Sequence, residues 1–252
     1  MTARPFTKTQ ATNGTFNPET LVAYELGIKT DLFDRKLRFN LSGFYNDYKN
    51  IQLPLADCAL LDGFEPGHDP FPCAAIGNAG DGHMYGLEAE MSAHPVAGLD
   101  IDASASWIDG KWTRLDPAKL GNPNNPLTAI QLGDPITTPA WKASAGIQYR
   151  AELGAAGSVT PRVDVAYTGR QTLGRLPGSA TLDYNPARTL ANARITWKNE
   201  KEDLSISFEV QNLFDKYYLL PLRFSALSAF AGTSYSTVGR PREWAVSVRK
   251  TF

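Results

Sequence analysis

Glu88 and Glu90 form a carboxylate pair whose spacing could serve chemistry. Two positions apart on a strand, both side chains lie on one face. Two neighbouring carboxyl groups can divide general acid and general base work between them. Side chains at this spacing more often line a polar wall of a sheet, and we favour that interpretation.

Other residue types offer little chemistry. The sequence has no nucleophilic serine elbow, no phosphate-binding glycine loop and no Cys-His pair that suggests catalysis. His68, His83 and His94 lack metal-ligand spacing. We therefore predict a protein that is not an enzyme and that holds no metal and no cofactor.

The elements that would position such residues are strands with a period of two. Apolar and polar residues alternate from Leu99 to Trp107, from Trp141 to Arg150, from Leu204 to Gln211 and along the last strand around Trp244. A tilted strand needs about nine to eleven residues to cross a bilayer, which these segments approach. Less regular segments lie at about 22 to 30, 37 to 50, 83 to 93, 161 to 168 and 190 to 198, which makes about nine strands.

Aromatic residues stand near the strand ends on the apolar faces, while alanine and aliphatic residues fill the middles. This placement matches the interfacial girdles of membrane barrels. Aromatic residues also cap the cores of soluble β-sandwiches, so that alternative stays open here. The residues concerned are Trp107, Trp141, Tyr149, Tyr167, Trp197 and Trp244.

The connections between strands are alternately short and long. Short turns face the periplasm in bacterial barrels and long loops face outward, so the pattern predicts an all-β, antiparallel, up-and-down transmembrane β-barrel. The number of crossings is odd, whereas single-chain bacterial barrels normally have an even number. We therefore expect residues 1–252 to be one domain, a partial barrel of about nine or ten strands. Short links lie near 31–36, 94–98, 151–158 and 199–203, and long ones near 51–82, 110–139, 169–189 and 215–241.

Composition excludes two other classes. Hydrophobic residues make up 42% of the 252 residues, and no apolar run approaches the length of a membrane helix. With 25 basic and 26 acidic residues the net charge is -1, so no basic stripe would attract nucleic acid. Residues Met1 to Gln10 lack the apolar core of a secretory signal, which again favours a truncated reading frame.

Cys58 and Cys73 are the two cysteines, and both fall in the first long connection. An exported loop lies in an environment that permits disulfides, and such a ring would stabilise the chain by roughly 3 kcal/mol. A disulfide is the favoured interpretation. Two free thiols or half of a metal site remain as alternatives, although a frame that holds only His68 between the cysteines is a poor zinc pattern.

Several motifs, in this order and spacing, resemble the late barrel of TonB-dependent outer-membrane receptors, the siderophore and nutrient receptor family. They cover nearly the whole chain, and a final strand ending on Phe252 completes the resemblance. The motifs are Asn17 to Thr20, Tyr24 to Lys29, Leu37 to Tyr48, Gly86 to Glu90, Gln211 to Tyr218 and Gly239 to Arg242.

The resemblance implies a role in active import. Receptors of this family have a barrel of about 22 strands with an N-terminal plug, and they take up iron chelates, cobalamin or other scarce nutrients when TonB pulls the plug. It implies location in the outer membrane of a Gram-negative bacterium and contact with outer-membrane lipid. The plug and the earlier strands would be absent from this chain, so it would couple to the TonB complex only through the missing N-terminal part.

The motif residues carry physical roles. Glu25, Gly27 and Lys29 should face the lumen, as should Gly86 and Glu88, because charge at the bilayer midplane costs about 2 to 4 kcal/mol. Asn and Asp at the end of the penultimate strand are expected to bond to the backbone. Phe252 resembles the terminal signal by which the barrel assembly machinery recognises its clients. That strand end comprises Asn212, Leu213, Phe214 and Asp215.

Ligand identity is open at this stage. Arginine and tyrosine side chains in the long loops suit the carboxylate and catecholate oxygens of an anionic ferric siderophore. They could equally be solvated loop residues. A passive porin-like or adhesin barrel piece is the second functional alternative, and a soluble β-sandwich binding module is the third. The loop candidates are His68, Arg170, Arg175, Tyr184 and Arg223.

Overall fold

The computed structural model of the protein describes residues 16–55, 75–116, 130–136, 138–175, 182–223 and 236–252. These residues form fourteen strands and a short 3-10 helix at Gly154–Ala156. In chain order the strands are β1 (Thr20–Leu32), β2 (Leu37–Leu55), β3 (Ala75–Ala93), β4 (Leu99–Leu115), β5 (Trp141–Tyr149), β6 (Ala151–Glu152), β7 (Ser158–Thr168), β8 (Gln171–Arg175), β9 (Leu182–Asn185), β10 (Arg188–Lys198), β11 (Leu204–Gln211), β12 (Leu219–Arg223), β13 (Ser236–Val238) and β14 (Glu243–Lys250).

Nine of the strands form one sheet in the order β1-β2-β3-β4-β5-β7-β10-β11-β14, and every neighbouring pair is antiparallel. The short strand β6 adds to the edge of β7, which gives ten strands in all. Each long strand therefore pairs with the next long strand along the chain. The predicted all-β, up-and-down antiparallel architecture of nine or ten strands is confirmed.

Strands β2, β3 and β4 are longer than the alternation indicated. The predicted segments 37–50 and 83–93 become strands of 19 residues each, and β4 has 17. The pairing shifts register near Ile51 and near Gly82. A bulge inserts one unpaired residue and moves the following side chains to the other face, so the sequence pattern ends where pairing continues.

The long connections contain structure that the sequence pattern did not predict. Strands β8 and β9 form a hairpin between β7 and β10, and β12 and β13 form another between β11 and β14. Both hairpins are separate from the main sheet. Their strands have three to five residues, too few for a period of two to stand out.

The apolar residues of the nine strands share one face of the sheet. Leu26 and Ile28 in β1 are 83% and 64% exposed, so no other part of the described chain packs against this face there. Because every pairing is in phase, apolar residues lie side by side from strand to strand. One such row comprises Ile28, Leu41, Ala89, Ala105, Ala143 and Tyr167.

A chain of aromatic rings crosses the long-loop end of this apolar face. Neighbouring ring centroids are 5.8 to 6.3 Å apart over four strands. Tyr85 at its centre donates a hydrogen bond of 2.9 Å to Asp109, which also pairs with Lys111. Rings with polar groups above them are typical of a membrane interface. The rings are Tyr45, His83, Tyr85, Trp107 and Trp141.

The opposite face of the sheet is polar, and we name it the lumenal face. Glu25, Lys29, Glu88 and Glu90 lie on it, in phase with the serines of β4 and β5. In the part of the chain that the structure describes, no helix has the length and apolar character needed to cross a membrane.

Ion pairs join the short turns at the other end of the strands. Arg150 lies 2.6 Å from Glu152 and 2.5 Å from Glu202, and Lys250 lies 2.6 Å from Asp203. The pKa of Glu202 is lowered by a hydrogen bond from Arg150 and, to a smaller extent, by one from Lys198. The pKa of Asp203 is lowered by a hydrogen bond from Lys250 and, to a smaller extent, by one from Asn199. The turns after β5 and β10 and the end of β14 are thus linked.

Charge placement predicts where an added arginine is tolerated. Ala145 lies on the apolar face in the middle of β5, and Ser144 beside it lies on the lumenal face. Ala145→Arg places charge toward lipid, at about 2 to 4 kcal/mol near the midplane, so we expect less folded protein in the outer membrane. Ser144→Arg is the matched control and should be near wild type. Heat-shifted migration of the membrane fraction on gels measures both, and equal loss would contradict the face assignment.

The turn ion pairs predict a dependence on pH. A carboxyl group whose pKa is lowered in the folded state adds stability above its ordinary pKa, 4.5 for Glu202 and 3.8 for Asp203. That stability is lost as pH falls through the lower folded value. As the pH is lowered beneath about 4, the free energy of unfolding in detergent should therefore decrease. The decrease should be less steep in the double variant Glu202→Gln, Asp203→Asn. Glu200→Gln, an exposed carboxylate of the same turn, should leave the slope unchanged.

Candidate functional site on the lumenal face

Cationic and hydroxyl side chains form a row across four strands on the lumenal face, at the outer ends of β5, β7 and β10. Lys142 in β5 pairs across the sheet with Thr168 in β7, which pairs in turn with Arg188 in β10. Ser106 in β4 stands on the other side of Lys142. Adjacent strands are about 4.8 Å apart, so Lys142 and Arg188 are near enough to contact one small anionic ligand. We name these four residues the cationic row.

Arg188 is held by an aromatic ring. Its guanidinium lies 5.4 Å from the ring centroid of Tyr218, within the range of a cation–π interaction. The backbone at Gly239 packs on that ring, since a Cβ there would lie 2.0 Å from it. Gly239 N also donates to Tyr218 O at 2.9 Å. The segment between β13 and β14 therefore fixes the ring that positions Arg188.

A second guanidinium is held in the same way. Arg170, just after β7, lies 4.7 Å from the ring centroid of Tyr184 in β9. Among the described residues, neither Arg170 nor Arg188 forms an ion pair with a carboxylate. Aromatic contact restricts each guanidinium without neutralising its charge. Both charges remain available to an anion.

The two loop hairpins are joined above this row. The Nδ2 group of Asn185 in β9 donates a 3.0 Å hydrogen bond to the carbonyl of Leu219 in β12. Asn185 is 3% exposed, so the bond is shielded from water. The hairpin that bears Tyr184 and the strand that follows Tyr218 are therefore parts of one assembly.

The turn after β11 is built around Asn212. Its side chain donates to the carbonyls of Lys216 and Arg240 and accepts a bond from Lys216 N. Asp215 accepts a bond of 2.9 Å from Arg242 N. Asn212 and Asp215 both have positive φ, which asparagine and aspartate tolerate better than most residues. This turn sets where Tyr218 and the start of β14 lie.

A three-strand ion cluster crosses the lumenal face below the cationic row. Asp102, Gly146 and Asp164 pair in one row on β4, β5 and β7. Arg162 reaches across it, with Nη2 at 2.8 Å from Asp102 and 2.5 Å from Asp164. A Cβ on Gly146 would lie 2.3 Å from that same nitrogen. The guanidinium therefore occupies the space that a side chain at position 146 would take, and it would have to move to admit one.

The loop residues and cysteines that the sequence analysis singled out have different outcomes in the structure. Arg170 and Tyr184 are brought into contact. Arg175 and Arg223 fall on β8 and β12, but their side chains are outside the described part. His68, Cys58 and Cys73 lie outside the described residues, so the disulfide stays a prediction.

Sequence reasoning missed Arg188, Tyr218 and Lys142. The sequence does contain a signal for Arg188 and Lys142. Each stands at the start of a strand and alternates with residues of the apolar face, which places it on the lumenal face. Tyr218 lies in the Gln211 to Tyr218 motif, yet its contact with Arg188 spans a loop and leaves no local pattern.

The motif residues lie on the faces that alternation assigns. Glu25, Gly27 and Lys29 are on the lumenal face, and so are Gly86 and Glu88. A Cβ on Gly86 would lie 2.3 Å from Trp107 O and 3.0 Å from the Phe44 ring, so this position needs glycine. Among the described residues, no three His, Cys, Asp or Glu side chains are grouped to hold a metal ion.

Comparison with known proteins identifies the family. The profile of the family described as TonB dependent receptor-like, beta-barrel, matches residues 3–213. The chain belongs to this family, whose members are outer-membrane receptors and transporters of Gram-negative bacteria and not enzymes. The resemblance noted in the sequence is confirmed, and a soluble β-sandwich is excluded.

Solved structures share the fold at low identity. The ferric yersiniabactin uptake receptor FyuA from Yersinia pestis is 19% identical, with a TM-score of 0.69 over 94% of this chain and 30% of that one. The FrpB iron transporter from Neisseria meningitidis is 17% identical, with 0.67 over 94% and 32%. The copper transporter OprC is 16% identical, with 0.63 over 94% and 32%. The chain thus spans about a third of the length of these proteins.

The ion cluster predicts coupling between two positions. Gly146→Ala forces the Arg162 guanidinium to move, so the variant should lose both ion pairs. In an Arg162→Met background the same change should cost little. A double-mutant cycle on unfolding in detergent should give a coupling of about 1 to 2 kcal/mol. Gly27→Ala with Arg162→Met is the control pair and should be additive. Additivity at Gly146 as well would contradict the cluster.

Proposed function

We propose that this chain forms part of the barrel wall of a TonB-dependent receptor that imports an anionic ferric siderophore. The observation that carries the proposal is the pair of tyrosine-held guanidiniums, Arg170 and Arg188, next to Lys142. In a member of this family, such a cluster at the outer rim favours a ligand with carboxylate or catecholate oxygens.

The charge balance of the lumenal face supports an anionic ligand. Arg162 lies deeper and is neutralised by Asp102 and Asp164. Arg188 and Lys142 lie at the rim and form no ion pair with the described residues. A guanidinium that is positioned but not neutralised binds an anion without first breaking an ion pair.

Other partners follow from the same proposal. The apolar face of the nine strands would contact outer-membrane lipid, and the last strand with Phe252 would engage the barrel assembly machinery. The TonB complex would act through the part of the receptor outside this chain. Passive porin-like diffusion and adhesion are the competing functions, and energy dependence separates them from active import.

Uptake of iron in cells tests the function. Cells that lack the gene for this protein are complemented with the gene, starved of iron and offered radioactive ferric catecholate or ferric hydroxamate-carboxylate chelates. We expect uptake that requires the gene and disappears in a strain without TonB. Uptake that persists without TonB would favour a passive pore, and binding without uptake would favour an adhesin.

Arg188 provides the residue-level test. Arg188→Ala removes the charge and the stacking on Tyr218, and we expect about a ten-fold loss of apparent affinity for the transported chelate. Arg188→Lys keeps the charge but loses the planar group, so its affinity should be intermediate. Arg35→Ala, an arginine in the short turn at the opposite end, is the matched control. Wild-type affinity in Arg188→Ala would place the ligand elsewhere.

A further inference from the structure

An apolar pocket lies on the lumenal face at the outer end of β1 to β4. Leu21, Met84 and Ile136 line a cavity of about 390 Å³, together with Asn46 and Tyr48. Leu21 is 56% exposed although it is a large aliphatic residue on the polar side of the sheet. An exposed apolar patch on a water-facing wall indicates a site that something covers.

Strand register places these residues on the lumenal face. Leu21 pairs with Tyr48, and Asn46 pairs with Met84. They alternate with Tyr45 and Tyr85, whose rings belong to the aromatic chain on the apolar face. The pocket therefore opens toward the lumen and not toward lipid.

Two glycines lie beneath the Ile136 and Met84 side chains that line the pocket. A Cβ on Gly82 would lie 3.1 Å from Cδ1 of Ile136, and a Cβ on Gly110 would lie 3.3 Å from Cγ of Met84. Ile136 N also donates to Gly110 O at 2.8 Å, which fixes the segment that returns toward β5. Because neither glycine has a side chain, Ile136 and Met84 pack close to the sheet, and these two lining residues are held in place before any ligand binds.

One wall of the pocket is an immobilised ring. The Tyr48 hydroxyl donates a 2.6 Å hydrogen bond to Glu19, which also accepts a 2.6 Å bond from Gln52 N. Both hydrogen bonds lower the pKa of Glu19, and the bond from Gln52 N has the larger effect. Glu19 therefore stays ionised and accepts both bonds. Tyr48 therefore stays in place, and Asn46 beside it offers an amide at the polar end.

The pocket and the cationic row lie within reach of a single ligand. Gly110 stands four residues outward of Ser106, which pairs with Lys142. At about 3.4 Å per residue and 4.8 Å per strand, Gly110 is roughly 14 Å from Lys142 and roughly 20 Å from Arg188. Met84 of the pocket, one strand farther away, is roughly 17 Å from Lys142 and roughly 24 Å from Arg188. A chelate with an extended side arm covers such a distance.

We propose that the imported ligand is amphipathic, with its anionic chelating core on Lys142 and Arg188 and an acyl or aryl arm in the Leu21, Met84 and Ile136 pocket. The argument is complementarity, since one end of this part of the barrel wall is cationic and the other is apolar. A cavity of this size suits a ring or a short acyl chain. The inference rests on the proposed function and narrows its ligand class.

The experiment compares matched chelates in cells that express the complete protein. Two ferric complexes are made on each chelator core, the catecholate and the hydroxamate-carboxylate, differing only in one acyl arm that is long enough to reach from Lys142 to Met84. For the core that is taken up, we expect the acylated form to compete about ten-fold better, because several methylene groups are buried.

Three variants locate the effect. Met84→Gln and Ile136→Asn place polar groups in the pocket and should reduce the ten-fold preference to near unity. Leu190→Gln makes the same kind of change on β10, on the lumenal face outside the pocket, and should keep the preference. Immunoblots of outer membranes check that each variant is present at wild-type level, so that a folding loss is not taken for a binding loss.

The outcomes separate this inference from the function on which it rests. Uptake of chelates without preference for the acylated form, or a preference that survives both pocket variants, contradicts the inference alone. Uptake of neither core contradicts the proposed import as well. If Met84→Gln instead admits a large antibiotic that the wild type excludes, a protein segment covers the pocket and the ligand assignment is wrong.

Discussion

The constraint on which this structure depends is the hydrogen bonding of the backbone in a medium without water. Each N–H and C=O group within lipid must find a partner in the protein, and a sheet of paired strands provides one for every group between neighbours. Pairing fixes register, and register fixes which side chains share a face. The row from Ile28 to Tyr167 remains apolar across six strands because no pairing slips within the crossing segments.

Prediction from sequence succeeded where this constraint acts alone. In β4 and β5 one face is apolar and the other is polar along the whole paired length, and strict alternation results. The pattern fails in the outer parts of β2, β3 and β4, where bulges exchange the faces and Ile51 and Trp112 are buried. Apolar residues are no longer confined to one face there, so no simple period remains.

The site depended on contacts that no local pattern contains. Arg162 crosses Gly146 to reach Asp102, which is 60 positions earlier in the chain. Arg188 meets Tyr218 through the packing of Gly239. The type of each residue could be read from the sequence as charged or aromatic. Which cation is neutralised and which is left free is decided by neighbours across the sheet, and only the fold supplies them.

The two sides of the mouth differ in how they are built. On the side of β1 to β4 the main sheet itself continues outward, with pairing up to Leu55 and Ala75 and the buried Asn78 bonded to Asn17 and Asn50. On the other side stand two separate hairpins, joined to each other by the Asn185 amide. Continuous sheet resists bending, whereas isolated short hairpins open at low free energy. The outer end of this wall therefore has one stiff side, which bears the apolar pocket, and one more flexible side, which bears Arg170. Under the proposed function, we expect the flexible side to move first when a ligand enters.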